Sequence, residues 1–425
     1  MKPGIQLAYA AARLAGHLRR RKRQITPLPP RPAEPGISVV IPSRNGKELL
    51  AAQLPGILRE LPPAAEVLVV DNGSNDGTAA WLKATFPQVA VDLSAHPLSF
   101  ARAANRGLES ARYSRVCLLN NDMLIDPGFF TALDRAFDAV PDLFCATAQI
   151  RFPKGVRREE TGKAVMAQTN PEDFPLRCDD PLPEEDLTYV LYGSGGCSLY
   201  DANRLRQLGG FDPVYEPAYV EDLDAGFRAW QRGWPSVYVA GAGLEHRHRA
   251  TTSRYYSPQQ LEQMLEVNYL KFLTCAVWSP ATFRRLWTQA LDRLRLRSDR
   301  QTLQQSVRIA GAGGPTLVPV LAEEKVLALT NGTVFVFPGH APTGKPRSVL
   351  AATSFQRSQR ADHDEVLVVQ TETSVAPPSA VRESYIEIVV VHKGPSTALS
   401  FEAALEQTIR KWQPQTVERE PALKP

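Results

Sequence analysis

Residues able to do chemistry fall into a few short clusters in this chain. Pro42-Ser43-Arg44-Asn45, Asp71-Asn72-Gly73-Ser74-Asn75-Asp76-Gly77-Thr78 and Asn120-Asn121-Asp122 each follow directly on an apolar run. Farther on, Glu221-Asp222-x-Asp224 opens an amphipathic stretch, and Glu245-His246-Arg247-His248 closes another apolar run. Carboxylates brought to one place would suit a hard divalent cation. Adjacent acids raise one another's pKa, the condition under which a carboxylate becomes a useful general base. Plainer uses exist for each cluster, since Asx and Gly residues make turns and caps and acids favour a helix N-terminus. Ordinary turns, however, give no reason for acids to gather at one edge.

The elements around these clusters say where that edge lies. Ile37–Ile41, Val67–Val70, Val89–Val91 and Val116–Leu119 read as buried strands. Between them lie helical stripes: Leu49 to Leu61, Thr78 to Thr85 and Phe100 to Arg112. Apolar strands alternating with amphipathic helices predict an α/β fold with a mostly parallel sheet covered on both faces. Ligands of such sheets bind beyond the carboxyl ends of the strands, where three of the clusters fall. Leu223, Phe227 and Trp230 share one face of a helix that should stop near Gly233. Val237-Tyr238-Val239 then leads to His246, and residues 257 to 297 read as helical.

Val39-Val40-Ile41-Pro42, Val69-Val70-Asp71-Asn72-Gly73-Ser74 and Asn105-Arg106-Gly107 come first in an ordered set of motifs. Leu118-Leu119-Asn120-Asn121-Asp122, Gly209-Gly210-Phe211-Asp212, Glu221-Asp222-x-Asp224, Gly233-Trp234 and His246 complete it. Over residues 37 to about 250 the set resembles the family 2 inverting glycosyltransferases of GT-A fold, in the branch that includes many bacterial rhamnosyltransferases. The resemblance implies a nucleotide-sugar donor of the dTDP-rhamnose or UDP-sugar type. It also implies an acceptor hydroxyl on a glycan or lipid-linked molecule of cell-surface glycan synthesis. It assigns Asp122 and His246 to a divalent metal, Mg²⁺ or Mn²⁺, with His248 as an alternative to His246. Asp222 would be the base, with Glu221 contacting acceptor or loop, and Asp224 would pair with Arg228 at i, i+4. Asp71 would hydrogen-bond the donor's uracil or thymine, with Pro42, Arg44, Asn72, Asn105, Asn120 and Asn121 in the same pocket. Asn120 stands where many relatives carry an acid, and an amide does not supply the lost charge. Gly193 to Gly196 would let backbone approach the sugar or acceptor.

Two other readings fit fewer residues. A sugar-phosphate nucleotidylyltransferase needs a glycine-rich phosphate loop after the first strand, which Pro42-Ser43-Arg44-Asn45-Gly46 does not supply. A GT-A module that has lost its reaction would explain Asn120.

Among 425 residues, hydrophobic content of 43% and charged content of 22% are those of a globular protein of more than one domain. Much of the net charge of +4 sits in Arg19-Arg20-Arg21-Lys22-Arg23, which speaks against a nucleic-acid-binding face. The run could instead rest on an anionic membrane surface. The 5 cysteines are scattered, as in a reducing compartment, and no apolar stretch reaches the roughly 18 residues of a membrane span. Cytoplasmic placement follows, peripheral at most. The domains read as 1–36, a basic segment and Pro-rich linker; 37–255, the GT-A domain; 256–300, a helical extension; 301–329, a linker; and 330–425. The last shows strands near 334, 349, 366 and 386 and a helix from Ser400 to Trp412, resembling the opening of a GT-B glycosyltransferase. The connection after 349 is short for parallel strands, and no donor-binding lobe follows, so a truncated, non-catalytic remnant is expected.

Overall fold

A computed structural model describes residues 3–17, 22–23, 26–31, 33–153, 163–166, 170–247, 255–310, 314–315, 321, 323–329, 332–336, 345–355, 365–371, 376–382, 384–392 and 397–420. Arg19 to Arg21 and His248 lie outside them.

After helix α1 (Pro3–His17), strands and helices alternate: β1 (Glu34–Ser43), α2 (Lys47–Glu60), β2 (Ala65–Asn72), α3 (Thr78–Thr85), β3 (Ala90–Ser94), α4 (Phe100–Ser110) and β4 (Tyr113–Leu119). Next come β5 (Met123–Ile125), α5 (Phe129–Ala139), β6 (Cys145–Arg151), the hairpin β7 (Ala164–Met166) and β8 (Leu176–Cys178), β9 (Thr188–Val190), β10 (Cys197–Asp201) and α6 (Ala202–Gln207). The unit closes with α7 (Glu221–Gln231) and β11 (Ser236–His246). One sheet runs in the order β9-β11-β6-β10-β4-β1-β2-β3, with β5 paired to β11. β3, β2, β1 and β4 are mutually parallel, with β2, β1 and β4 buried on both faces and β3 a half-exposed edge. β10 enters antiparallel between β4 and β6. Adjacent parallel strands therefore deliver Ser43, Asn72 and Asn120 to the same edge.

The Asn105-Arg106-Gly107 motif has a structural use at each position. A Cβ on Gly107 would sit 2.2 Å from Val40 Cγ1, so only glycine lets α4 lie this close to β1. The Arg106 guanidinium grips Asp92 through two bonds of 2.9 and 2.6 Å, tying α4 to β3. Asn105 donates to Phe211 O at 2.7 Å and accepts from Phe211 N at 2.8 Å, holding the chain just after the Gly209-Gly210 turn.

The helical stretch beyond β11 is two helices, α8 (Pro258–Ala276) and α9 (Pro280–Leu296). Ser279 caps α9 by accepting from Thr282 N, and Pro280 sets its first turn, so the break is written in the Ser-Pro pair. Residues 301–329, expected as a linker, are corrected: they contain most of α10 (Arg300–Ile309) and all of α11 (Glu323–Leu329). Leu303, Val326 and Leu329 join the main core, which a polar linker would not do.

The C-terminal segment holds β12 (Gly332–Val336), β13 (Ser348–Ala352), β14 (Glu365–Thr371), α12 (Ser379–Arg382), β15 (Glu387–His392), α13 (Thr397–Trp412) and β16 (Thr416–Arg419). Its sheet order is β12-β15-β14-β13-β16, with β15, β14, β13 and β16 parallel. Numbered within the segment, the parallel strands run third, second, first, fourth, a doubly wound arrangement. β13 and β14 pair in parallel despite the short connection, because a crossover needs only about a dozen residues. β16 carries no apolar run and was not anticipated from the sequence.

The two sheets meet at β9 and β12, where Asp186 N donates to Val334 O at 3.0 Å and Val334 N to Thr188 Oγ1 at 2.9 Å. Ala403 of α13 belongs to the main core. Deleting residues 330–425 would bare the β9 edge and α11, so the shortened chain should melt lower and aggregate more readily. Thermal unfolding checks this; an unchanged melting temperature would mark the segment as an independent unit.

Candidate active site

A cleft of about 1410 Å³ opens at the carboxyl edge of β1, β2 and β4 and at the start of α7. Pro42, Arg44, Asn72, Asn120, Asn121 and Asp122 line one side, and Glu221, Asp222 and His246 also face it. Asp71 and Asn105 do not line it. Asp71 is buried at the base of its loop, where its Oδ1 accepts from Ser74 N at 3.0 Å. Asn105 spends both ends of its amide on Phe211. Asn72 reaches the cleft wall, yet its amide clamps Leu98, accepting from N at 2.6 Å and donating to O at 3.0 Å.

The end of β4 is held by neutral donors. Gln53 on α2 donates to Asn120 O at 2.6 Å and Met123 O at 2.8 Å. Asn121 donates to Ser43 Oγ at 2.8 Å, and Asn120 N to Gly196 O at 2.9 Å. A Cβ on Gly196 would lie 2.3 Å from Asn120 Nδ2, so a side chain there would displace the Asn120 amide. Antiparallel pairing of β5 with β11 sets His246 opposite Met123, one residue beyond Asp122. His246 Nε2 thereby lies 3.5 Å from Asp122 Oδ1, both side chains nearly buried. The separation suits two ligands of one cation, with the remaining positions left to donor oxygens and water. Among the described residues no group of three such side chains is assembled.

The acids of α7 arrive on an unusual backbone. Tyr219 and Val220 both have positive φ, 74° and 79°, a left-handed pair that side chains disfavour, a β-branched one most of all. Buried Asn268 on α8 secures the turn by donating to Tyr215 O at 2.7 Å, Ala218 O at 2.8 Å and Tyr219 O at 3.1 Å. Asp224 accepts from Arg228 Nε at 2.7 Å and from Tyr215 OH at 3.0 Å, and Arg228 donates to Leu208 O at 2.6 Å. The i, i+4 pair expected from sequence is present, and it is buried.

Glu221 and Asp222 then diverge. Glu221 is buried, and its Oε2 has no hydrogen-bond partner among the described residues. Burial, and next the charge of Asp222, push its carboxyl well above the usual range. Asp222 borders the cleft; its Oδ2 accepts from Gly195 N at 3.0 Å and its Oδ1 from Leu223 N at 2.8 Å. Burial raises its pKa too, while those two N–H groups pull it back. Gly195 thus orients the Asp222 carboxylate through its backbone N–H.

Residues not singled out beforehand complete the walls. Tyr255 lies under the Arg44 guanidinium, 4.3 Å from ring centre, and its hydroxyl accepts from Asn45 at 3.2 Å. Phe174, Leu176, Leu261 and Leu265 give one side an apolar surface. Gln53, Asn268 and Tyr255 carry no local sequence signal, because their partners are backbone groups or side chains far along the chain.

Residues 35–264 match the family model described as "Glycosyltransferase like family 2". The N-acetylglucosaminyl-diphospho-decaprenol L-rhamnosyltransferase of Mycobacterium tuberculosis, strain CDC 1551 / Oshkosh, is 29% identical over 212 residues, 44% of this chain and 68% of that protein. The same enzyme of strain ATCC 25618 / H37Rv gives the same figures, 29% over 212 residues. Among solved structures, a Pyrobaculum calidifontis mannosyltransferase in complex with GDP-Man and Mn²⁺ is 17% identical at a TM-score of 0.42, covering 72% of this chain and 81% of that one. GalNAc-T7 with UDP, GalNAc and Mn²⁺ is 16% identical at 0.49, covering 74% and 64%.

Because Glu221 binds its proton more tightly when folded, the native state holds more protons than the unfolded chain above the ordinary carboxyl range. Stability must then fall as pH rises through that window. Glu221→Gln removes the term, so the variant should melt higher than the parent near neutral pH and no higher in acid. Melting curves across pH test it; equal curves would place an ionised, satisfied Glu221 in the native protein.

Proposed function

The chain belongs to the glycosyltransferase-like family 2 and is a glycosyltransferase, and on that premise we propose that it transfers a sugar with inversion from a nucleoside diphosphate donor to an acceptor hydroxyl. The observation that carries the proposal is the meeting of Asp222, Asp122 and His246 in one cleft at the sheet's carboxyl edge. In-line attack at the anomeric carbon forms the bond to the acceptor oxygen and breaks the bond to the donor's β-phosphate oxygen. The hydroxyl proton must leave as its oxygen attacks, and Asp222 is the group placed to take it. Gly195 N and Leu223 N fix both its oxygens, so the carboxylate is oriented before substrate binds. The raised pKa makes it a stronger base than an exposed aspartate, and neutral flanking donors leave its charge intact.

Asp122 and His246 would hold a divalent cation, Mg²⁺ or Mn²⁺, which when bound neutralises charge growing on the diphosphate leaving group. With Asn120 uncharged, Asp122 is the acid of its motif, and affinity for the ion rests on it together with the donor's own oxygens. Arg44, Pro42, Asn120 and Asn121 form the donor side, with the Arg44–Tyr255 stack at its rim. The rhamnosyltransferase relatives support a deoxyhexose donor of the dTDP-rhamnose type, with a UDP-sugar the other candidate. Their name also supports a lipid-linked sugar acceptor, and the apolar side formed by Phe174, Leu176, Leu261 and Leu265 fits one. We assign residues 330–425 a structural role. At the end of β13, where a doubly wound sheet would take a ligand, Glu420 Oε2 accepts from Thr353 N at 3.0 Å and Thr353 Oγ1 at 2.9 Å.

Asp222→Asn keeps the shape and removes the base. With a panel of labelled sugar nucleotides, turnover should fall about 10²-fold or more while donor affinity changes little. A larger loss in Glu221→Gln would move the base to Glu221. Asp122→Ala should abolish turnover with the melting temperature kept, and chelation by EDTA should do the same to the parent, reversed by Mn²⁺ or Mg²⁺. Full activity in chelator would overturn the metal assignment of both Asp122 and His246.

A further inference from the structure

Helix α1 is apolar on both faces. Ile5, Ala8, Tyr9, Ala12, Ala15 and Gly16 are buried against α9 and α10. Tyr9 OH donates to Asp292 at 2.7 Å, and Trp287 Nε1 donates to Ala12 O at 3.2 Å, which fixes which side faces inward. The opposite side carries Leu7, Ala10, Ala11 and Leu14, an i, i+3, i+4, i+7 stripe facing outward. Leu7 is 75% exposed and Leu14 66%, the two most exposed large apolar side chains among the described residues. Leu296 at the end of α9 and Val307 on α10, 49% and 41% exposed, belong to the same three-helix group.

Charge around this group is predominantly positive. Residues 1–33 contain 8 Lys and Arg and no Asp or Glu. Residues 280–310 contain 7 Arg against 2 Asp. Arg300 packs against Gly4, and Arg295 covers the Tyr9 ring at 4.3 Å, so this positive charge lies beside α1. An exposed apolar stripe flanked by cations and poor in acids has the make-up of a helix that lies in a membrane interface.

We propose that the outer face of α1, with the adjoining ends of α9 and α10, rests on an anionic lipid surface. Leu7 and Leu14 enter the acyl boundary, and the cations, Arg13 on α1 among them, meet lipid phosphates. A second copy of this chain is disfavoured as occupant, since two such faces would bring like charges together. The cleft is near: Glu262 on its wall pairs with Arg297, next to Leu296, at 3.3 Å. Docking would hold the cleft's rim at the bilayer, and it stands apart from the reaction because it is read without donor or acceptor.

The test uses the full chain and sedimentation with vesicles rich in phosphatidylglycerol or made of phosphatidylcholine alone. The parent should bind the anionic vesicles, bind the neutral ones at least about tenfold more weakly, and release as salt rises. Leu7→Gln with Leu14→Gln changes exposed positions only, and should weaken binding about tenfold or more with an unchanged circular dichroism spectrum. Leu93→Gln, at another exposed leucine, should leave binding as it was. No parent binding at low salt, or equal binding by the double variant, would overturn the proposal. So would a parent dimer that the double variant converts to monomer, which would assign the face to a second copy.

Discussion

Arg228, sunk beneath the start of α7 and bonded to Asp224, is the interaction on which the cleft depends. The helix must begin abruptly to turn two adjacent carboxylates toward the cleft, and it does so through two left-handed residues at Tyr219 and Val220. Strain of that kind costs about 1–3 kcal/mol per residue. Opposing it are the two N–H groups of the Asn268 amide, shared among three backbone carbonyls, and the buried ion pair of Asp224 with Arg228. These contacts tie the turn to α8 and to the buried body of α7. The same guanidinium bonds Leu208 O and Asn105 bonds Phe211, so the Gly-Gly turn is tied to the acids of α7.

The far wall solves a different problem. Carbonyls at the end of β4 are buried and need donors, yet any cation there would neutralise Asp122. Amides meet the need without charge: Gln53 serves Asn120 and Met123, and Asn121 serves Ser43. Asp122 and His246 then face each other at 3.5 Å. Asn120 fits this scheme as an uncharged spacer against Gly196, where a larger main-chain neighbour would clash.

Which parts were legible in the sequence follows from the range of each interaction. Strands β1, β2 and β4 and helices α3, α4 and α7 declare themselves through local periodicity, and their ends carry the polar clusters that do meet. The Asp224–Arg228 pair is local and was readable. Asn105 was grouped with the donor pocket because motifs record that a residue matters, not whether it touches ligand or backbone. Its partner, Phe211, is remote in sequence, as are the partners of Gln53 and Asn268. Residues 301–329 read as a linker because α10 is mostly polar and buries a single large apolar residue, Leu303, beside Thr302 and Ser306, so its burial is decided by the surfaces it meets.

The structural role proposed for the C-terminal sheet rests on the edge it covers. β9 is a short edge strand whose free backbone groups would invite pairing with another chain. β12 occupies that edge, Thr188 caps Val334, and α13 adds Ala403 to the main core. Once those contacts are part of the fold, selection acts on packing rather than on a ligand crevice. Glu420 then satisfies the Thr353 N–H that a bound anion would otherwise take, and its negative charge repels any such anion. Glu420 on Thr353 is therefore consistent with the structural role, and the doubly wound strand order alone does not argue for a second activity.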